Sequence, residues 1–114
     1  MLYIASAFSL SMLQEFPAVI RVTELRPEDA RLLMHTEKWE SVVGHEGTAR
    51  VLSEILATEI RANRKAIKVR EGDGVIVFQL LRRLPEGKVL NEREIREIIE
   101  SGEWKLLLVT IREG

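Results

Sequence analysis

Two short stretches of the sequence bring together side chains that can move a proton and hold a phosphate: Gly44-His45-Glu46-Gly47-Thr48-Ala49 and Arg82-Arg83-Leu84-Pro85-Glu86-Gly87. In the first, a lone imidazole stands where a loop turns into an amphipathic helix through Val51, Leu52, Ile55 and Leu56. A helix start presents unpaired N–H groups and a partial positive charge, which suits a phosphate. An imidazole placed there can carry a proton onto or off a phosphate-ester oxygen near neutral pH. In the second, a strand ends in two arginines and a proline then holds a carboxylate in a loop. Strand alternation sends Arg82 and Arg83 to opposite faces, so one of them serves a given site. A guanidinium fork fits a phosphate, and Glu86 can take a proton or hold a ribose.

Each feature also has an ordinary reading, and pattern alone favours it. His45 can be a surface histidine near a helix start, and His35 a cation near a helix end. The arginines and Glu86 can be a solvated charge run at a turn. Arg61-Ala62-Asn63-Arg64-Lys65 can be plain positive charge beyond a helix. Gln79 sits in a strand otherwise built of Val, Ile, Phe and Leu, where it faces either solvent or a ligand's adenine edge or ribose hydroxyl. Ser6, Ser9 and Ser11 are turn and cap residues or phosphate-binding hydroxyls.

Composition narrows the choice. The 114 residues suffice for one compact domain, 1–114, and not two. Hydrophobic residues make up 46%, so a real core can form, while a net charge of −1 argues against a generic nucleic-acid binder. Any anion site must therefore be local, made of a few arginines. Without cysteine there are no disulfides, thiolate catalysis or ordinary structural zinc sites. The two histidines lack HExxH spacing, so no metal is expected, and no GxGxxG or Walker loop is present for a nucleotide cofactor. The apolar start Met1–Ala5 is too short, and lacks the basic lead, for a signal peptide. No apolar run approaches membrane-spanning length, so the expected location is cytoplasmic. Scarce amides (Gln14, Asn63, Gln79 and Asn91) beside abundant Glu, Lys and Arg lean towards a thermophilic source.

The elements that must position these residues follow from periodicity and turn chemistry. Leu2–Ser6 and Ala18–Glu24 read as strands, with a short helix possible over Ser9–Phe16. Pro27 begins a helix that runs to about His35. Lys38–Val43 reads as irregular or briefly helical, and Glu46–Thr58 as a helix. Ala66–Arg70 and Gly74–Leu81 read as strands joined by a tight hairpin over Glu71-Gly72-Asp73-Gly74. Asn91 caps a helix, Glu94 completes a capping box, and Gly102 ends it before a last strand, Trp104–Arg112. The predicted architecture is an α/β fold of the α+β type: a single mixed five-stranded sheet flanked by helices.

Four stretches in this order carry a resemblance: Tyr3-Ile4-Ala5-Ser6-Ala7-Phe8-Ser9, Gly44-His45-Glu46-Gly47-Thr48, Asn63-Arg64-Lys65-Ala66-Ile67-Lys68 and Arg83-Leu84-Pro85-Glu86-Gly87-Lys88-Val89-Leu90. The pattern resembles the viral ring nucleases of the type III anti-CRISPR family, which also has cellular members, from Tyr3 to the last strand. The resemblance implies a metal-independent, cofactor-free homodimer that cleaves cyclic tetra-adenylate to linear di-adenylate with a 2′,3′-cyclic phosphate, switching off type III CRISPR signalling. It places the catalytic histidine at His45 and an arginine–glutamate pair at Arg83 and Glu86. Its other ligand positions fall on Arg64, Gln79, Ser9 and Ser11, with Gly44 and Thr48 beside the histidine. Ser6 departs from the family's usual asparagine; it is shorter and lacks the amide fork.

In that chemistry the ribose 2′-hydroxyl attacks the neighbouring phosphate in line. His45 protonates the departing 5′-oxygen, Arg83 offsets charge on the transition state, and Glu86 orients the ribose or assists the 2′-hydroxyl. A ring of four equal units contains a two-fold axis, which a two-fold homodimer can share. The Ala18–Glu24 strand, the last strand and apolar residues near the N-terminus are candidate interfaces. The competing expectations are a non-catalytic cyclic-nucleotide sponge or sensor, and a small viral regulator binding duplex DNA, which the near-zero net charge disfavours.

Overall fold

The computed structural model describes residues 1–82 and 90–113. In chain order the elements are β1 (Leu2–Ala5), a 3-10 turn (Leu10–Met12), β2 (Ala18–Leu25), α1 (Pro27–Thr36) and β3 (Trp39–Ser41). They continue with α2 (Glu46–Leu56), β4 (Gly74–Leu80), α3 (Glu92–Ser101) and β5 (Trp104–Glu113). The strands form one sheet in the order β2-β5-β4-β1-β3. β1 runs parallel to both β3 and β4, while β5 is antiparallel to β4 and to β2. The expected mixed five-stranded sheet is therefore present, with three α-helices among the described residues.

Alternation along the strands divides the sheet into two apolar faces. Leu2, Ile4, Ile76, Phe78 and Leu106 meet all three helices through Met34, Leu52, Leu56, Ile95 and Ile98. The opposite face, with Ala5, Val75, Val77, Val109 and Ile111, carries no α-helix among the described residues; Met12 of the 3-10 turn with Leu13, Ile67 and Val69 covers it. α2 holds its place because Ala49, Val51, Leu52, Ile55 and Leu56 are all buried. α3 begins as its sequence predicts. Asn91 Oδ1 accepts from the Glu94 N–H at 2.8 Å, Glu94 returns a bond to the Asn91 N–H, and Gly102 ends the helix at φ +68°.

Three expectations are corrected. The fifth strand is Trp39–Ser41, not Ala66–Arg70. Trp39-Glu40-Ser41 shows no apolar alternation, yet the free edge of β1 supplies a ladder that a three-residue strand can complete. Ala66–Arg70 does alternate, with Ile67 and Val69 inward, but its backbone bonds go to the N-terminal loop: the Val69 N–H donates to Met12 O, and the Gln14 N–H to Val69 O. The glycine-rich turn forms, with Asp73 N–H donating to Arg70 O and Gly72 at φ +92°, but it joins no hairpin. The short helix that Ser9–Phe16 allows is a single 3-10 turn, Leu10–Met12.

Candidate functional site

β1, β3 and β4 point the same way, so the segments that follow them emerge at one end of the sheet. In open α/β sheets this carboxyl end is where ligands lodge, in the crevice between diverging loops. A hollow of about 490 Å³ lies there, lined by Ala5, Ser6 and Ala7 after β1, Val42, Gly44 and His45 after β3, and the extended run Arg64–Lys68, with Ser11 and Met12 closing one side. Ala5 and Val42 belong to the helix-free face, so the hollow opens on that side of the sheet.

His45 ends the loop and begins α2. Its backbone carbonyl accepts from the Ala49 N–H at 3.0 Å, but its side chain makes no capping bond, unlike the Asn91 side chain at α3. His45 is exposed and lines the hollow, and its side chain caps none of the first-turn N–H groups of α2. Gly44 brings Arg64 close. A Cβ built on Gly44 would stand 3.8 Å from Arg64 Cγ and 4.0 Å from its Nε, so the arginine stem lies against the backbone that enters α2.

The Arg64–Lys68 wall is anchored rather than loose. The Asn63 N–H donates to Val43 O at 2.7 Å and its side-chain amide donates to Ser41 O at 2.8 Å. Lys65 Nζ donates to Glu40 at 2.8 Å, and this contact raises the lysine pKa above its ordinary value. Lys68 Nζ donates to the Ser11 carbonyl at 2.5 Å, tying the serine turn to the same wall. Within that turn the Ser9 and Ser11 hydroxyls lie 3.0 Å apart, and Ser9 Oγ accepts from the Ser11 N–H. Among the described residues Arg64, Lys65, Lys68 and His45 line the hollow and no carboxylate does. A chain with a net charge of −1 thus concentrates cations at one place, the arrangement that attracts an anion. A larger hollow between α2 and α3, about 550 Å³, sets Arg50 and Arg96 against Glu54, Glu92 and Glu100 and has no histidine.

Among the residues singled out from sequence, Ser6, Ser11, Gly44, His45 and Arg64 meet in this hollow. Ser9 stands behind Ser11 and is not part of the lining. Gln79 is exposed near the end of β4, opposite Lys105, on the same sheet face as Val75 and Val77 but outside the lining. Thr48 is half-buried in the first turn of α2, also outside it. His35 is exposed in the last turn of α1, away from the site. Arg83 and Glu86 lie outside the described residues. The residues on either side of them are placed: the Leu81 N–H donates to Glu103 O at 2.8 Å beyond the carboxyl end of β4. Leu90 packs 3.4 Å from a Cβ built on Gly47, and its carbonyl accepts from Arg50 Nη1. The chain therefore leaves the sheet at the site's end and rejoins against the first turn of the His45 helix.

Lys65 and Lys68 were not singled out. Lys65 lies in a run that sequence reads as positive charge past a helix and Lys68 in the predicted strand Ala66–Arg70, and the parallel bridge between Leu13 and Val69 sets that strand segment beside the serine turn. Among the described residues no group of three or more His, Asp or Glu is placed to hold a metal ion. No helix there is long and apolar enough to cross a membrane.

Comparison with known proteins agrees on one lineage. A profile of the family described as STIV B116-like matches residues 2–102. Protein 26 of Sulfolobus islandicus filamentous virus (isolate Iceland/Hveragerdi) is 38% identical over 110 residues, covering 96% of this chain and 93% of that protein. Protein YddF of Bacillus subtilis (strain 168) is 26% identical over 106 residues, 91% of this chain and 94% of that one. Among solved structures, B116 of Sulfolobus turreted icosahedral virus superposes with a TM-score of 0.79 at 30% identity, covering 96% of this chain and 97% of B116.

Proposed function

This chain belongs to the STIV B116-like family, and from that footing we propose that it is a metal-independent ring nuclease acting on cyclic tetra-adenylate. The observation that carries the proposal is His45: an exposed imidazole without a capping bond, at a helix start, in a hollow lined by Ser6, Ser11, Arg64, Lys65 and Lys68. Phosphate is the ligand class such a hollow suits, because fixed N–H dipoles and cations act together there.

In the proposed reaction the ribose 2′-oxygen attacks the adjacent phosphorus and the P–O5′ bond breaks. His45 delivers a proton to the departing 5′-oxygen, and the 2′-hydroxyl proton leaves to Glu86 or to water. The product carries a 2′,3′-cyclic phosphate. Proton transfer of this kind contributes about 10²–10⁴ in rate. Arg83 is assigned to offset the charge on the transition state. Arg64, Ser6 and Ser11 hold the ring in the hollow so that sugar and phosphate stand in line, and Gln79 is assigned to the part of the ring that extends beyond it.

We assign the active form as a two-fold homodimer. β2 is an edge strand whose Val19 and Val22 are 51% and 53% exposed, and Phe16 just before it is 72% exposed. Ile20 and Val22 pair with Ile111 and Val109, which puts them on the helix-free face onto which the His45 hollow opens. A second copy against that face would cover this apolar surface and present two His45 side chains to opposite phosphates of one ring. The test is incubation with cyclic tetra-adenylate in EDTA, followed by mass analysis. Linear di-adenylate with a cyclic phosphate end is expected. Tight binding that leaves the ring intact makes the protein a sponge, and cleavage that needs an added divalent ion sinks the mechanism.

A further inference from the structure

The cations around the His45 hollow are not equally free. Lys68 Nζ donates to a backbone carbonyl, that of Ser11. Arg64 and His45 have no carboxylate partner among the described residues. Lys65 has one: its Nζ lies 2.8 Å from Glu40 Oε1, and Glu40 is not part of the lining.

Strand register fixes where that carboxylate stands. Glu40 pairs with Tyr3 across β1 and β3, and Tyr3 packs on the helix-free face. Ala5 and Val42 line the hollow and follow Tyr3 and Glu40 by two residues in the chain. At about 3.3 Å per residue, Glu40 therefore sits roughly 7 Å behind the hollow, on the face to which the hollow opens. The Lys65 ammonium, on its flexible four-carbon stem, has a carboxylate on one side and an anion site on the other.

The pair is not needed to anchor the wall. The Asn63 N–H and side-chain amide already bind Val43 O and Ser41 O, and the Val69 N–H binds Met12 O at the other end. Nor is the pair buried. The Lys65 and Glu40 side chains are 52% and 34% exposed, and ion pairs so open to water add little to stability. Such a pair is readily exchanged for another oxyanion.

We infer that Glu40 sets the affinity of the hollow for phosphate: it holds Lys65 while the hollow is empty, and yields it to a phosphate of the incoming ligand. The inference rests on reading the hollow as a phosphate site, not on cleavage at His45. At neutral pH the amine is charged in either position, so the exchange moves no proton. Glu40 weakens binding in two ways, by competing for the ammonium and by repelling the ligand's charge. The same competition favours release of a bound anion.

The test is a double-mutant cycle on the full chain, titrated by calorimetry with inorganic tripolyphosphate at low salt. Glu40→Gln should bind several-fold more tightly than the parent, and Lys65→Met several-fold more weakly. With Lys65→Met already present, Glu40→Gln should bring a distinctly smaller gain, because only repulsion is left to relieve. A carboxylate that merely braced the wall would give the opposite sign, with weaker binding in Glu40→Gln. Binding that is absent or no tighter in Glu40→Gln, or an equal gain with and without Lys65, overturns the inference. The same four proteins in a His45→Ala background are then titrated with cyclic tetra-adenylate, and the same order is expected. If the ring fails to bind while tripolyphosphate keeps the order, the exchange stands and the ring-nuclease reading falls.

Discussion

His45 is singular for what its side chain leaves undone. At a helix start a Ser, Thr, Asp or Asn would close back on the first-turn N–H groups, as Asn91 does at α3. His45 makes no such bond, so both the imidazole and the helix start stay open to a ligand. Replacing it by alanine should leave binding of the cyclic ligand intact and slow cleavage by about 10²–10⁴. A binding titration run beside single-turnover product analysis separates the two effects. Lys65 gives a second prediction. Its hydrogen bond and charge contact with Glu40 raise its pKa above 10.5, with Tyr3 adding a smaller push. Stabilisation from the pair is therefore complete below the unfolded lysine's pKa and disappears as pH rises through the folded value. Glu40→Gln should bring the amine's titration back towards 10.5 in an NMR pH series, and flatten the alkaline limb of the stability curve.

At the scale of elements, those with strong local signals were legible in advance. Pro27, the Asn91–Glu94 box, Gly102 and the 3.6-residue apolar period of α2 specify α1, α2 and α3 without tertiary help. Asn91→Ala removes the bond to the Glu94 N–H and should lower stability by about 1 kcal/mol in chemical denaturation. β3 and the 66–70 run show where local pattern fails. Alternation in Ile67 and Val69 reports only that one side faces a core, not which backbone will supply the hydrogen bonds. That partner is the Met12–Gln14 turn, more than fifty residues away in sequence. The same exchange moves Lys65 and Lys68 to the candidate site, which is why no window of sequence marks them.

The whole molecule has two sheet edges treated in opposite ways. Beside β3, the Asn63 N–H and side-chain amide meet Val43 O and Ser41 O, so backbone groups on that side are taken up within the chain. β2 is the other edge, with Val19 and Val22 exposed on either face and unshielded by the described residues. Open apolar edges invite pairing with another chain. Val22→Lys should therefore convert a dimer to monomer in sedimentation and abolish ring cleavage. The same change should leave the thermal transition of the monomer fold nearly unmoved, because the side chain is already exposed. A wild-type chain that sediments as a monomer with bound ligand would refute the two-fold arrangement.

From its residues alone this protein's helices, its sheet class and the suspicion attached to His45 could be set down, because capping, periodicity and charge act within a few residues of each other. Tertiary structure alone decided which strand completes the sheet, and that Ser6, Ser11, Gly44, His45 and Arg64 share one hollow with two further lysines. Those contacts join segments far apart in the chain. Only the parallel run of β1, β3 and β4 brings their following loops to a single end.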